Sequence, residues 1–154
     1  MSPEQRLVEL GIDLPASSGP AGNYAAAVRS GTLLFLSGKA PLPAHGVQPR
    51  GRLGSEFSAE DGYLLARSAC MDLLSAAKAA IGSLDKVVQI LELHGSLNTT
   101  SEFEEHARVL DGASDLLVEV FGPAGVHARS VIGVNSLRGA VPLTVKATIR
   151  CEPE

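Results

Sequence analysis

The sequence predicts an α+β sandwich in which helices cover a single face of one sheet. Three observations predict it. Apolar periodicity changes along the chain in the order short helix, β, β, α, β, α, β, β, so an opening hairpin is followed by strands alternating with two long helical patterns. The strand-like segments hold more apolar positions than two helices can cover, among them Leu33, Phe35, Val131 and Ile132, and the surplus face calls for a layer supplied by another subunit. The 154 residues, 45% hydrophobic and 19% charged, suit one globular domain spanning 1–154 with a sizeable core.

Residues 4–10 read as a short amphipathic helix stopped at Gly11, and the Pro- and Gly-rich run from Leu14 to Gly22 makes 1–22 an N-terminal helix and arm. Tyr24 to Val28 and Thr32 to Ser37 read as antiparallel strands joined across Arg29-Ser30-Gly31, where glycine supplies the tight turn. Leu33-Leu34-Phe35-Leu36 is apolar at every position, which predicts a central strand covered on both faces. Residues 39–57 are rich in proline and glycine, carry Arg50 and Arg52, and show no apolar period: a long loop of the kind that often serves function.

Ser58 reads as the N-cap of a helix running to Gly82, with Glu60 and Asp61 in its electropositive first turn. Leu65, Ala69, Leu73, Ala76, Ala77 and Ala80 share its buried face. Val87 to Leu93 is the next strand, with His94 near its end and Leu97 to Thr100 as its exit. Ser101 and Glu104 have capping-box spacing, and Phe103, Ala107, Leu110, Ser114, Leu117 and Phe121 mark one face of a second long helix. Asp111-Gly112 interrupts that pattern, predicting a kink or a division that leaves Asp111 at a local terminus. Gly122-Pro123-Ala124-Gly125 ends the helix, and strands Ala128–Val134 and Leu143–Ile149 complete the chain.

Composition removes several function classes. A net charge of −4, no tryptophan, and only two tyrosines and four phenylalanines give neither attraction for phosphate nor a stacking platform, so nucleic acid is a disfavoured partner. Acidic residues near the N-terminus stand where a secretory signal would be basic, and no segment reaches membrane-spanning length. A cytoplasmic protein with no membrane partner is expected. Cys70 and Cys151 lack metal-site or disulfide-framework spacing and read as plain thiols. His45, His94, His106 and His127 are scattered without the spacing of a helical zinc pair. Nucleophile-elbow, phosphate-loop and dinucleotide motifs are absent, and the sequence calls for no cofactor and no metal.

The most informative charge is Arg129, at the opening of an apolar strand. A guanidinium there must meet a carboxylate, reach solvent, or bind an anionic ligand, because it stays ionised at physiological pH. Tyr24 opening the first strand and Ser37-Gly38 closing the second add hydroxyls and a free backbone amide, a set suited to a small carboxylate.

Gly19-Pro20-Ala21-Gly22-Asn23-Tyr24, Leu33-Leu34-Phe35-Leu36-Ser37-Gly38-Lys39-Ala40-Pro41, the run from Asp111 to Gly122, and His127-Ala128-Arg129-Ser130-Val131 resemble, in order and spacing, the YjgF/RidA family, in the branch labelled endoribonuclease L-PSP. The resemblance implies a chorismate-mutase-like α+β fold with one mixed sheet, a homotrimer whose sheets pack into a barrel, and clefts between subunits. It implies hydrolysis of reactive enamines and imines, such as 2-aminoacrylate and its imine tautomer, to a 2-keto acid and ammonia without a cofactor. By position, Arg129 would grip the substrate carboxylate, and Tyr24, Ser37 and Gly38 would line the cleft. Asp111 stands where the family commonly has asparagine, and Val131 where many members have cysteine.

The same resemblance exposes a departure. The family's last strand typically reads Val-Glu-Val-Glu-Ala, whereas here it is Leu143-Thr144-Val145-Lys146-Ala147, so the glutamate associated with water activation becomes Thr144. Residues two apart on a strand share a face, so Thr144 and Lys146 together turn two negative charges into one positive charge. Two readings follow: a RidA-type deaminase working without that glutamate, or a binder or sensor of keto acids that has kept the gripping arginine. RNA cleavage, the reaction named in the branch label, fits poorly with an acidic chain and no poised histidine pair.

Overall fold

Local capping sets where the helices begin. In the computed structural model, which describes residues 1–154, the Ser2 hydroxyl accepts from the Gln5 N–H while the Gln5 side chain accepts from the Ser2 N–H, opening α1 (Pro3–Glu9). The same reciprocal box between Ser58 and Asp61 opens α2 (Ala59–Ile81), with Ser58 the expected N-cap. The third helix, α3 (His106–Phe121), differs from expectation: Glu105 is its N-cap without a side-chain bond, and Ser101 lies in a turn. Phe103 explains the difference. Its amide bonds Thr100, its ring meets His106 edge-on, and this packing overrides the capping spacing.

Five strands form the sheet: β1 (Ala27–Ser30), β2 (Leu33–Lys39), β3 (Val87–Asn98), β4 (Ala128–Val134) and β5 (Leu143–Cys151). Their order is β1-β2-β5-β3-β4, with β3 and β4 parallel and every other pair antiparallel, which makes the sheet mixed. The hairpin turns on Gly31-Thr32, with Gly31 at φ 62°, a left-handed value that favours glycine. The first strand starts later than the sequence suggests, because the Ser37 hydroxyl donates to the Ala25 carbonyl and closes the ladder, leaving Tyr24 in the preceding bend. The third strand extends five residues past Leu93, so His94 lies within it rather than near its end.

Helices α2 and α3 pack on one sheet face around a continuous core that includes Leu34, Leu36, Leu73, Leu93, Leu117, Val145 and Ile149. Ala80, expected on the buried face, is exposed in the last turn of α2. Nor does α3 break at Asp111-Gly112. Gly112 sits where a Cβ would collide with the Tyr63 carbonyl oxygen, so the glycine permits close contact with α2 instead of ending a helix.

The opposite sheet face carries Val28, Phe35 and Ile132 among polar side chains, and all three are exposed. The expectation that β2 is covered on both faces is therefore corrected for a single chain: Leu34 and Leu36 are buried, while Phe35 is 45% exposed. Val131 also leaves the surplus set, since it packs against the helix-side core. Residues 40–57 are anchored at Leu53, which is fully buried and bridges both Phe57 and Thr99. No helix is long and apolar enough to cross a membrane.

Candidate ligand site

A cavity of about 490 Å³ opens where the end of β2 meets β5, and Tyr24, Ser37, Gly38 and Thr144 all line it. The structure thus gathers four of the residues singled out in the sequence. Gly38 lies against β5: a Cβ there would stand 4.0 Å from the Thr144 Cβ. The Tyr24 hydroxyl accepts from the Ala21 N–H at 3.0 Å, which fixes the ring against the N-terminal arm.

Beneath them lies a polar cluster that sequence reasoning missed. Lys39 Nζ donates to the Ser18 carbonyl at 2.8 Å and to Ser18 Oγ at 2.9 Å, and it stands 3.9 Å from Asp72 Oδ2. Asp72 in turn accepts from the Ser18 hydroxyl at 2.6 Å and from its N–H at 3.2 Å. A register shift on β2 builds this floor. Leu36 pairs with Ala147 but Lys39 with Val145, so the extra residue turns Lys39 toward the helices. The one sequence signal was Asp72, a lone carboxylate within the apolar face of α2.

Arg129, the second residue of β4, belongs to a different cluster. Its Nη1 lies 2.8 Å from Asp111 Oδ1 and donates to Ser114 Oγ at 2.9 Å, while Nη2 donates to the Ala107 carbonyl at 3.1 Å. Ser114 Oγ is also 2.9 Å from His127 Nε2, and His127 Nδ1 is 2.6 Å from the Gly125 carbonyl. A carbonyl only accepts, so Nδ1 carries the proton, and in the neutral ring Nε2 accepts from the Ser114 hydroxyl. Two of the five guanidinium donors are thereby hydrogen-bonded, one on Nη1 and one on Nη2, and Asp111 adds an ionic contact at Nη1. The Nε–H has no acceptor within the chain, and Nη2 makes a single hydrogen bond.

One chain does not bring the two clusters together. Two strand spacings, about 10 Å, separate β4 from β5. The faces differ as well: Arg129 pairs opposite the fully buried Leu93 and turns toward α3, whereas Thr144 lies on the open face between the buried Leu143 and Val145. Val131 shares the face of Arg129, and Lys146 shares that of Thr144, opposite His94.

One mixed sheet with two long helices packed on one face defines a chorismate-mutase-like α+β protein. The family model described as YjgF/chorismate mutase-like, putative endoribonuclease, matches residues 4–145, and the chain belongs to that family. It is 38% identical over 144 residues to Trypanosoma cruzi protein TCP17, an alignment covering 93% of this chain and 90% of that protein. A crystal structure of a putative endoribonuclease from Shewanella oneidensis is 34% identical with a TM-score of 0.93, covering 97% of this chain and 99% of the other. A structure from Agrobacterium tumefaciens, of a protein of unknown function, is 31% identical with a TM-score of 0.88, covering 97% and 92%.

Proposed function

We propose that the chain binds a small carboxylate metabolite in a cleft formed between copies of itself, and that it hydrolyses reactive enamines and imines of the 2-aminoacrylate type there. The observation that carries this reading is the division of the site. Arg129 keeps an unpaired Nε–H and a singly bonded Nη2 beside α3, while the cavity large enough for a small molecule lies two strands away, with its own lysine committed to Ser18 and Asp72. Members of this family are commonly homo-oligomers. A homotrimer whose open sheet faces meet in a barrel covers Val28, Phe35 and Ile132, and sets Arg129 of one copy against the Tyr24 and Thr144 cavity of the next.

In that cleft the Nε–H and Nη2–H of Arg129 take the two carboxylate oxygens, and Val131 packs beside them. Ser37, Gly38 and Tyr24 shape the opposite wall. Water adds to the imine carbon, forming a C–O bond. The nitrogen gains protons, the C–N bond breaks with its electron pair leaving on nitrogen, and ammonia and a 2-keto acid result. The Thr144 hydroxyl orients the attacking water but is too weak a base to remove its proton.

That weakness favours a second reading, a binder or sensor of keto acids without turnover. Generating 2-aminoacrylate in a coupled assay separates the two. Accelerated pyruvate release that disappears in Arg129→Ala supports hydrolysis. No acceleration, with a keto-acid-induced rise in melting temperature that Arg129→Ala removes, supports the binder. Light scattering tests the assembly, for which three times the 16.0 kDa chain mass is expected.

A further inference from the structure

We infer that Asp111 makes the Arg129 site select ligands carrying a cationic nitrogen next to their carboxylate over ligands carrying the carboxylate alone. The inference rests on the carboxylate site proposed above. Arg129 already has one carboxylate: Asp111 Oδ1 sits 2.8 Å from Nη1, so the pair is close to neutral before any ligand arrives. The pairing is fixed from behind. Ser114 and the Ala107 carbonyl hold the guanidinium, and His127, held by Gly125, holds Ser114. An incoming carboxylate therefore meets the unpaired Nε–H of Arg129 and the Asp111 charge at once.

For a simple monoanion such as a 2-keto acid, attraction to Arg129 is opposed by repulsion from Asp111 across one guanidinium. For a zwitterion the second term changes sign. Asp111 is 49% exposed, and its Oδ2 has no partner in the chain, so it can accept from an ammonium or iminium N–H while the ligand carboxylate occupies the fork. The reaction proposed above supplies a reason for such a preference. A protonated 2-imino acid is a zwitterion and its 2-keto acid product is a monoanion, so the site holds the first and releases the second. Asparagine at this position would keep a hydrogen-bonding group but lose the discrimination.

The test compares two ligands with the same carbon skeleton, alanine and pyruvate, by calorimetric titration of the full-length protein in its native assembly. Alanine is expected to bind at least about tenfold more tightly than pyruvate. In Asp111→Asn the ratio should fall by about tenfold or more, with pyruvate affinity rising, and Arg129→Ala should lose both ligands. Asp111→Ala provides a second variant with the same expected direction, and melting temperatures confirm that each variant is folded. An unchanged ratio in both Asp111 variants, with binding still lost in Arg129→Ala, overturns the inference and leaves the carboxylate site standing. If neither ligand binds the natural protein, or if Arg129→Ala binds both unchanged, the site itself fails and the inference falls with it.

Discussion

Lys39 and Asp72 face each other 3.9 Å apart beneath the cavity, with side chains only 6% and 5% exposed. Two buried opposite charges add little net stability against a well-packed apolar pair, but either one alone is costly. Ser18 makes the arrangement stricter by spending its hydroxyl, amide and carbonyl on the same two residues, so the pair also fastens the N-terminal arm. Lys39→Met should destabilise the protein by about 3 kcal/mol and make residues 14–22 sensitive to limited proteolysis. Lys39→Met combined with Asp72→Leu should recover most of that loss, as measured by urea denaturation at fixed protein concentration.

Gly112 and Tyr63 set the spacing between α2 and α3. Alanine at 112 would gain about 1 kcal/mol of helix propensity. It would also drive a methyl group into the Tyr63 carbonyl, a backbone atom that cannot rotate aside. Overpacking of this kind costs about 1–3 kcal/mol, and backbone contact places it at the upper end. Gly112→Ala is therefore expected to lower stability by about 2 kcal/mol net despite its better propensity. A shift in the urea midpoint without a change of slope would record it.

These two contacts also mark the limit of what the sequence conveys. The start of α2 was legible because Ser58 is a capping residue followed by Glu60 and Asp61 in the first turn, and its buried face follows a simple period. Capping-box spacing at Ser101 and Glu104 misled, since the packing of Phe103 against His106 decides that segment. Arg129 stood out as a charge opening an apolar strand, but its partner did not: Gly112 suggested a broken helix at Asp111, when the glycine answers to Tyr63 on another helix. Lys39 was hidden for a related reason. Strand alternation places it correctly only once the register shift between β2 and β5 is known.

Thr144 lines the cavity on the open face of β5, two residues from Lys146 and near Arg138, which lines the same cavity. A carboxylate introduced there would be ionised beside cationic neighbours and could accept a proton from the attacking water. General base catalysis contributes roughly 10²–10⁴-fold, so Thr144→Glu should raise the rate of 2-aminoacrylate hydrolysis by about a hundredfold. Pyruvate release in the coupled assay reads it directly. Equal rates in the two proteins would mean that proton removal by a residue at this position does not limit the reaction.

Glu92 on the open sheet face accepts from His94 Nε2 at 3.2 Å and from the Thr148 hydroxyl at 3.2 Å. The His94 bond, then the Thr148 bond, holds its carboxyl below the ordinary glutamate range, with Lys146 adding a smaller attraction. A carboxyl with a lowered folded-state pKa binds protons less readily than in the unfolded chain. Its contribution to stability is thus present above the unfolded value of about 4.3 and is lost as pH falls through the folded value. Glu92→Gln keeps a hydrogen-bonding group and removes the titration. The variant should therefore show a smaller drop in melting temperature between about pH 6 and pH 3 than the natural protein, with the two curves converging at the acid end. Parallel curves over the whole range would show that protonation of Glu92 is not coupled to folding.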